Sequence, residues 1–241
     1  MKKFMLLVAG LCLVLSTFSW GSDQDKTDVS LRLESAAKTL TEIINTPDKG
    51  VPVEILEGAK CVAVVPRMIK GGFIFGAKHG RGVATCRLPN GHWSPPAFFA
   101  MTGGSWGAQI GAESVDLVMF IMNDEGMKHL LQNKFQIGGE ASAAAGPVGR
   151  HASAGTDYKA STQILTYSRA HGAFAGVDLG GTWIAPDKDS TIAEYGRDIP
   201  VADILTGKVA APANAHVFLA AVQRSVVEAN AQKAKKAAEK Q

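Results

Sequence analysis

Six basic side chains lie in a stretch of sequence without acidic residues, and they are the side chains of this chain best suited to contact phosphate. The stretch runs between Glu57 and Glu113 and also contains His79 and His92. Lysine and arginine bind phosphate through charge-assisted hydrogen bonds. We therefore predict a lipid- or phosphate-binding role for this set. Its members are Lys60, Arg67, Lys70, Lys78, Arg81 and Arg87.

The distribution of charged residues along the sequence is more informative than the net charge. Between Asp178 and Asp203 the bias reverses, with six acidic residues against two basic ones. The basic stretch also carries aromatic residues such as Phe73 and Trp93, a combination that suits a membrane interface or a phosphate-bearing ligand. Alternatively, because side chains alternate between the two faces of a strand, the basic residues point in several directions and are only solvated surface residues. Both interpretations remain open.

One short pattern suggests nucleophilic chemistry. Gly103-Gly104-Ser105-Trp106-Gly107 fits G-x-S-x-G, and Asp178 and His216 follow in the order of a hydrolase triad. In hydrolases this serine occupies a strand-to-helix turn, whereas here the strand-like segment 115–122 follows. We therefore predict no enzyme and keep a serine hydrolase only as the least favoured alternative.

Other site signatures are missing from the sequence. No Walker loop and no dinucleotide-binding glycine pattern occurs, and the six histidines have no metal-ligand spacing. We predict no cofactor, no metal site and no nucleic-acid partner.

The N-terminus has the order of an export signal. Lys2 and Lys3 precede the apolar run 4–18, and Ser19 and Gly21 place small residues at the cleavage positions. The run is shorter than the ~20 residues of a membrane span. We predict a signal peptide over 1–21, which also removes Cys12, and export to the periplasm, the cell envelope or the medium. The alternative is an uncleaved anchor.

Two cysteines remain after such cleavage, Cys61 and Cys86. An exported domain can hold a disulfide, but cysteine is also a small core hydrophobe. The sequence leaves a disulfide and two free buried thiols as equal alternatives.

Apolar periodicity gives the order of elements. An apolar stripe predicts a helix over 28–44, preceded by a loose polar segment 22–27. A run from Cys61 to Val65, closed by Pro66, starts a series of short strands. Asn90-Gly91 predicts a hairpin turn with Trp93 on the returning strand. The further predicted strands are 72–76, 83–88, 98–102, 106–111, 115–122, 164–167, 174–178 and 182–185.

Short helices are predicted at 52–57, 124–132, 190–195 and 201–205, and a long one from about 213. This order predicts an α+β fold, with a mostly antiparallel sheet or partly closed β-barrel flanked by N- and C-terminal helices. We divide the chain into the signal 1–21, a globular domain 22–212, and a C-terminal helix with a Lys/Ala-rich tail at 213–241.

Several blocks of sequence, in the same order, resemble the SYLF domain family over about residues 30–207. They are 46–52, 59–66, 80–83, 103–111, 141–150, 167–169, 172–176 and 203–207. The resemblance implies lipid binding: eukaryotic relatives bind phosphoinositides, and fungal relatives bind and bundle actin. The family has no established catalytic motif, so it also implies that G-x-S-x-G is a feature of the fold.

With its export signal the chain is most similar to an exported bacterial branch of that family. We therefore expect it to recognise anionic phospholipid or phosphoinositide-like head groups at a membrane surface. An envelope protein is the further candidate partner, and we do not expect actin as a partner. The alternative is a structural or protein-interaction module of the cell envelope without lipid specificity.

Overall fold

The computed structural model describes residues 20–46, 50–72, 75–106, 111–148, 162–170, 173–174 and 176–238. The apolar run of the predicted export signal lies outside the described residues. The helices are α1 (Trp20–Ile44), α2 (Val53–Gly58), α3 (Asp124–Leu131), α4 (Lys188–Tyr195), α5 (Val201–Leu205) and α6 (His216–Ala238). The strands are β1 (Cys61–Gly72), β2 (Phe75–Cys86), β3 (Ala97–Trp106), β4 (Gly111–Ile121), β5 (Phe135–Gln136), β6 (Ala143–Ala145), β7 (Ile164–Ala170), β8 (Ala173–Phe174) and β9 (Trp183–Pro186).

The N-terminal helix α1 follows from the predicted apolar stripe. Val29, Leu33, Leu40 and Ile43 are all buried on one side of it. The prediction that 22–27 is loose is wrong, because α1 already begins at Trp20. This segment contains no proline and no glycine beyond Gly21, so nothing in the sequence interrupts the helix. Within the described part of the chain, no helix is both long and apolar enough to cross a bilayer.

The strands form one mixed sheet in the order β5-β9-β3-β2-β1-β4-β7-β6, and β8 pairs with β7. The pairs are antiparallel except for β6 with β7, which run parallel. The predicted α+β class with a mostly antiparallel sheet is confirmed.

The two outer strands of this sheet are close neighbours in sequence. The segment 137–142 alone connects β5 to β6, and it includes a bridge between Ile137 and Ala141. A chain from Gln136 to Ala143 reaches at most about 25 Å, whereas the seven spacings of a flat sheet would separate its edges by about 34 Å. The sheet therefore has to curl, and it forms the half-barrel that the partly closed prediction anticipated.

Both faces of the central strands are buried. Val62 and Val64 of β1 pack with α1, α2 and α6, whereas Ala63 and Val65 pack on the opposite face with residues of α3, α5, β5 and β9. A strand buried on both faces reads as a continuous apolar run, which is why 61–65 shows no alternation in the sequence.

Proline did not end the first strand as predicted. β1 passes Pro66 and continues to Gly72 because the chain bulges there: Pro66 and Arg67 together lie opposite the single residue Asp116 of β4. A bulge is one of the places where a sheet tolerates a proline.

Two other predicted strands were placed wrongly. The predicted strand 72–76 spans the end of β1 and the start of β2, which pair at Gly72 and Gly76. Of the predicted strand 174–178, only Phe174 is in β8, since the described residues after it are not paired. The Asn90-Gly91 turn is confirmed by the bridge from Arg87 to Trp93 and by the positive φ of Gly91, 82°.

A disulfide joins Cys61 to Cys86, which face each other across β1 and β2. Both cysteines are fully buried. The bond links the start of one long strand to the end of the next, so it closes the hairpin at the end opposite its turn.

We expect removal of the disulfide to lower the free energy of unfolding by about 3 kcal/mol, because closing a loop of this length restricts the unfolded chain. Urea unfolding with and without reductant measures the difference. The double variant Cys61→Ala, Cys86→Ala is the control and should not respond to reductant. An unfolding midpoint of the natural protein that reductant leaves unchanged would contradict the prediction.

Candidate anion-binding groove

An open groove of about 440 Å³ lies between α1 and the parts of β1, β2 and β4 that face it. The α1 wall carries Leu31 and Arg32, and the sheet wall carries Arg67, Ile69 and Arg81. Leu31 is 54% exposed and Ile69 is 56% exposed. The groove therefore combines guanidinium groups with apolar side chains that are open to solvent.

The β1 bulge shapes the sheet wall. Arg67 has a φ of 52°, a left-handed conformation that is uncommon for a residue with a side chain. Its N–H donates to Asp116 Oδ1 at 3.0 Å, and Arg67 itself is exposed. A bulge bends the strand and changes the direction of its side chains.

Glycines on β2 make room for the bulged strand. A Cβ atom at Gly80 would lie 2.5 Å from Val65 Cγ1, and one at Gly82 would lie 2.7 Å from the carbonyl oxygen of Val64. Neither approach is possible without displacing β1. The block Gly80-Arg81-Gly82 thus presents Arg81 to the groove while β1 packs closely against its flanks.

A buried carboxylate joins the two walls. Asp187 Oδ2 accepts hydrogen bonds from Arg32 Nη1 at 3.0 Å, from Arg81 Nε at 2.8 Å and from Ser190 Oγ at 2.7 Å. Asp28 Oδ2 also accepts from both arginines. Two guanidinium groups therefore face two carboxylates, and the network has no net charge.

The pKa of Asp187 reflects its arginine neighbours. Burial alone would raise this pKa, but hydrogen bonds from Arg81 and Ser190 outweigh it and lower the pKa to about 2. The same hydrogen bond to Asp187 raises the pKa of Arg81. Asp187 is therefore ionised under all ordinary conditions and holds both arginines in place.

A second network connects α1 to the bulge. Asp116 Oδ2 accepts from Arg169 Nη2 at 3.3 Å, and the same guanidinium nitrogen pairs with Glu42 of α1. Asp116 thus ties the Arg67 backbone to β7 and, through Arg169, to the helix on the other side of the groove.

The six basic residues predicted from sequence fall into three separate pairs. Arg67 and Arg81 line the groove. Lys70 and Lys78 are register partners, one step along the strands from the pair Ile69 and His79. Because side chains alternate along a strand, the two lysines lie on the opposite face of the sheet from that pair. Lys60 and Arg87 lie at the far end of the β1–β2 hairpin, joined by a backbone hydrogen bond.

Three of the four members outside the groove have side-chain partners within the fold. Lys78 is 3% exposed and donates to the carbonyl oxygen of Asp178 at 2.6 Å; burial lowers its pKa. Lys60 Nζ lies 3.1 Å from Asp124 Oδ1, and the Arg87 guanidinium lies 4.7 Å from the centre of the Trp93 ring. The six therefore do not form one basic surface.

The serine of G-x-S-x-G lies in β3, where Ser105 pairs with Gly76 of β2. The next described element is the strand β4 and not a helix, so the context of a hydrolase nucleophile is missing. No group of three or more His, Cys, Asp or Glu side chains in the described part of the chain is arranged to hold a metal ion.

Sequence reasoning missed the residues that organise the groove. Asp187 was counted only as one of the six acidic residues between Asp178 and Asp203, and Asp116, Leu31 and Ile69 were not singled out. Asp187 did have a local signal, because aspartate is a preferred N-cap residue and Asp187 directly precedes α4. Its Oδ1 accepts from the Ser190 N–H. The partner arginines, 155 and 106 residues away, have no local signal.

We expect Asp187→Asn to destabilise the domain by about 3 kcal/mol, because it removes the buried carboxylate of the network and leaves Arg32 with only the exposed Asp28 as a charged partner. Asp187 also makes stability depend on pH. Its folded pKa is depressed, so its contribution of about 2 kcal/mol is complete above pH 3.8 and is lost as the pH falls towards about 2. Urea unfolding across this range measures both effects.

The exposed neighbour Asp189→Asn is the matched control and should change stability by less than about 0.5 kcal/mol. Equal stability of Asp187→Asn and the natural protein at neutral pH would contradict the proposed role of the carboxylate.

Comparison with known proteins relates this architecture to a family. Residues 102–225, just over half of the chain, match the family described as Ysc84: Las17-binding protein actin regulator. SH3 domain-containing YSC84-like protein 1 of Rattus norvegicus is 35% identical over 188 residues, covering 76% of this chain and 55% of the relative. The human protein of the same name is 34% identical over the same length.

A fungal protein is similar over a comparable region. LAS seventeen-binding protein 3 of Saccharomyces cerevisiae is 32% identical over 193 residues, covering 76% of this chain and 42% of the relative. The chain spans about half the length of the curated relatives it matches. The resemblance seen in the sequence blocks is thereby confirmed, and the chain belongs to the Ysc84, or SYLF, domain family.

Proposed function

We propose that this domain binds anionic phospholipid head groups at a membrane surface, and that it does so in an exported location. The observation that carries the proposal is the groove beside α1, whose walls carry the exposed Arg67 together with the exposed apolar residues Leu31 and Ile69. A cation flanked by apolar groups matches the boundary between phosphate head groups and acyl chains.

The magnitudes favour a contact that is more than electrostatic. Each basic residue near an anionic bilayer contributes about 1 kcal/mol, whereas full burial of a leucine or isoleucine side chain contributes about 1.5–3 kcal/mol. Leu31 and Ile69 therefore matter at least as much as Arg67. Binding should need anionic lipid but should survive moderate salt better than binding through charge alone.

The disulfide supports the exported location. Disulfides persist in oxidising compartments and are rare in reducing ones, and Cys61 is bonded to Cys86. The N-terminal sequence, with its basic start and short apolar run, is consistent with the same location. The ligand is then a phospholipid of an envelope membrane.

A protein partner is the second candidate function. The family description and the names of the relatives refer to Las17 binding, actin regulation and SH3 domains, and they name no reaction. These names favour a binding module over an enzyme. A module of the envelope that binds a protein through the same groove would also use its exposed apolar rim.

We expect residues 22–241, the chain left by the predicted cleavage, to float with vesicles of phosphatidylcholine and phosphatidylglycerol, and to stay in solution with phosphatidylcholine alone. Arg67→Glu should weaken binding about 30-fold, because it exchanges one favourable charge for one unfavourable charge at the surface. Ile69→Asp should weaken it by a similar factor. Flotation at increasing protein-to-lipid ratios gives the apparent affinities.

Lys60→Glu is the matched control, since it makes the same change of charge at the far end of the same strand and should have little effect. Failure of the natural protein to float with either vesicle would rule out common phospholipids as the ligand and favour the protein-binding alternative. Equal losses for Lys60→Glu and Arg67→Glu would show a diffuse charge effect without a groove.

A further inference from the structure

We propose that Arg67 is the residue that recognises phosphate in the groove and that Asp116 is its positioning residue. This inference rests on the proposed function and deepens it, because it assigns the ligand contact to one strained bulge instead of a general basic surface. The ligand group is the phosphate of a membrane phospholipid.

Of the arginines that line the groove, Arg67 has its guanidinium free for a ligand. Arg81 donates through Nε to Asp187, through Nη1 to Asp28 and through Nη2 to Ser190. Arg32 is buried and bonded to the same two carboxylates. The Arg67 guanidinium, by contrast, has no hydrogen-bond or ion-pair partner among the described residues.

The charge balance leads to the same residue. The two carboxylates neutralise Arg32 and Arg81, so these arginines shape the groove without giving it net charge. Arg67 adds a positive charge whose guanidinium forms no ion pair within the described part of the chain. A guanidinium presents a planar fork of donors that matches two oxygens of a phosphate group, which a point charge such as an ammonium does not.

The backbone of Arg67 is held in a conformation that favours glycine. Its φ of 52° is rare for a residue with a side chain, and such a residue persists only where its surroundings impose it. Here the chain has an arginine where glycine would be easier to accommodate. A strained position that keeps a long, exposed, unpartnered side chain is consistent with selection for that side chain.

Asp116 supplies the constraint. The two residues Pro66 and Arg67 oppose Asp116 alone, and its Oδ1 accepts the Arg67 N–H at 3.0 Å. Its Oδ2 is fixed by Arg169, which also binds Glu42 of α1. The carboxylate thus sets the direction of the bulge relative to the helix wall, and with it the place where the guanidinium meets a ligand.

Four substitutions in residues 22–241 test this assignment, with flotation on phosphatidylcholine–phosphatidylglycerol vesicles as the assay. Arg67→Gly should keep the bulge, melt at the same or a higher temperature, and bind more than tenfold more weakly, a loss beyond the roughly fivefold effect of removing one surface charge. Arg67→Lys should keep the charge but recover only part of the affinity.

The Asp116 variants separate positioning from charge. Asp116→Ala removes a negative charge beside the groove, so general electrostatics predicts tighter binding. If Asp116 instead positions Arg67, Asp116→Ala should weaken vesicle binding by about tenfold. Asp116→Asn should recover only part of the affinity, because its amide oxygen can still accept the Arg67 N–H but its NH2 group cannot accept from Arg169. Circular dichroism and melting temperatures confirm that each variant is folded.

The outcomes distinguish this inference from the function on which it rests. If the natural protein does not float, the proposed function fails. If it floats and Arg67→Gly floats equally well, or Asp116→Ala binds more tightly, the function stands and this inference is wrong. A third outcome is that inorganic phosphate raises the melting temperature of the natural protein but not of Arg67→Gly, while the two proteins float equally well. The groove then binds free phosphate, and the membrane assignment is overturned.

Discussion

A sheet whose central strands are apolar on both faces has to be covered twice, and most of this architecture follows from that requirement. One layer comes from the two ends of the chain, where α1, α2 and α6 pack on residues such as Val64 and Phe98. The other comes from the middle of the chain, through α3, α5 and the short strands around Phe135 and Ile184. Neither layer can be removed without exposing a whole face of β1–β4.

The curl that the short connection 137–142 imposes on the sheet also makes this double covering possible. A flat sheet would need a second layer as wide as itself, whereas a curled one encloses a narrower inner face that short elements can fill. The helix layer covers the other face incompletely. At the bulged end of β1, the groove with Leu31 and Ile69 on its walls stays open to solvent.

Polar groups fix the position of α1 on its face of the sheet, since apolar packing alone would let the helix slide. Asp187 brings Arg32 of the helix and Arg81 of the strand to one point, and Glu42 meets Arg169 about three turns further along. Buried ion pairs of this kind add little net stability compared with apolar contacts. Their value here is that they define one register between the helix and the sheet.

Local patterns in the sequence predicted the elements, and long-range geometry limited the prediction of the site. The apolar stripe of α1, the Asn90-Gly91 turn and helix α3 all depend on neighbours within a few residues, and all were predicted. Pro66 was misread because a bulge depends on the partner strand, which supplies Asp116. The sequence could not show which of the six basic residues share a surface, because this depends on strand register. It also could not show which are already paired with distant residues such as Asp124 and Asp178. The disulfide stayed undecided for the same reason. The two outer strands, β5 and β6, are also short, with only two and three residues. Short edge strands offer little backbone on which another copy could add a strand, so the domain can be crowded at a surface with a low risk of polymerising through its sheet.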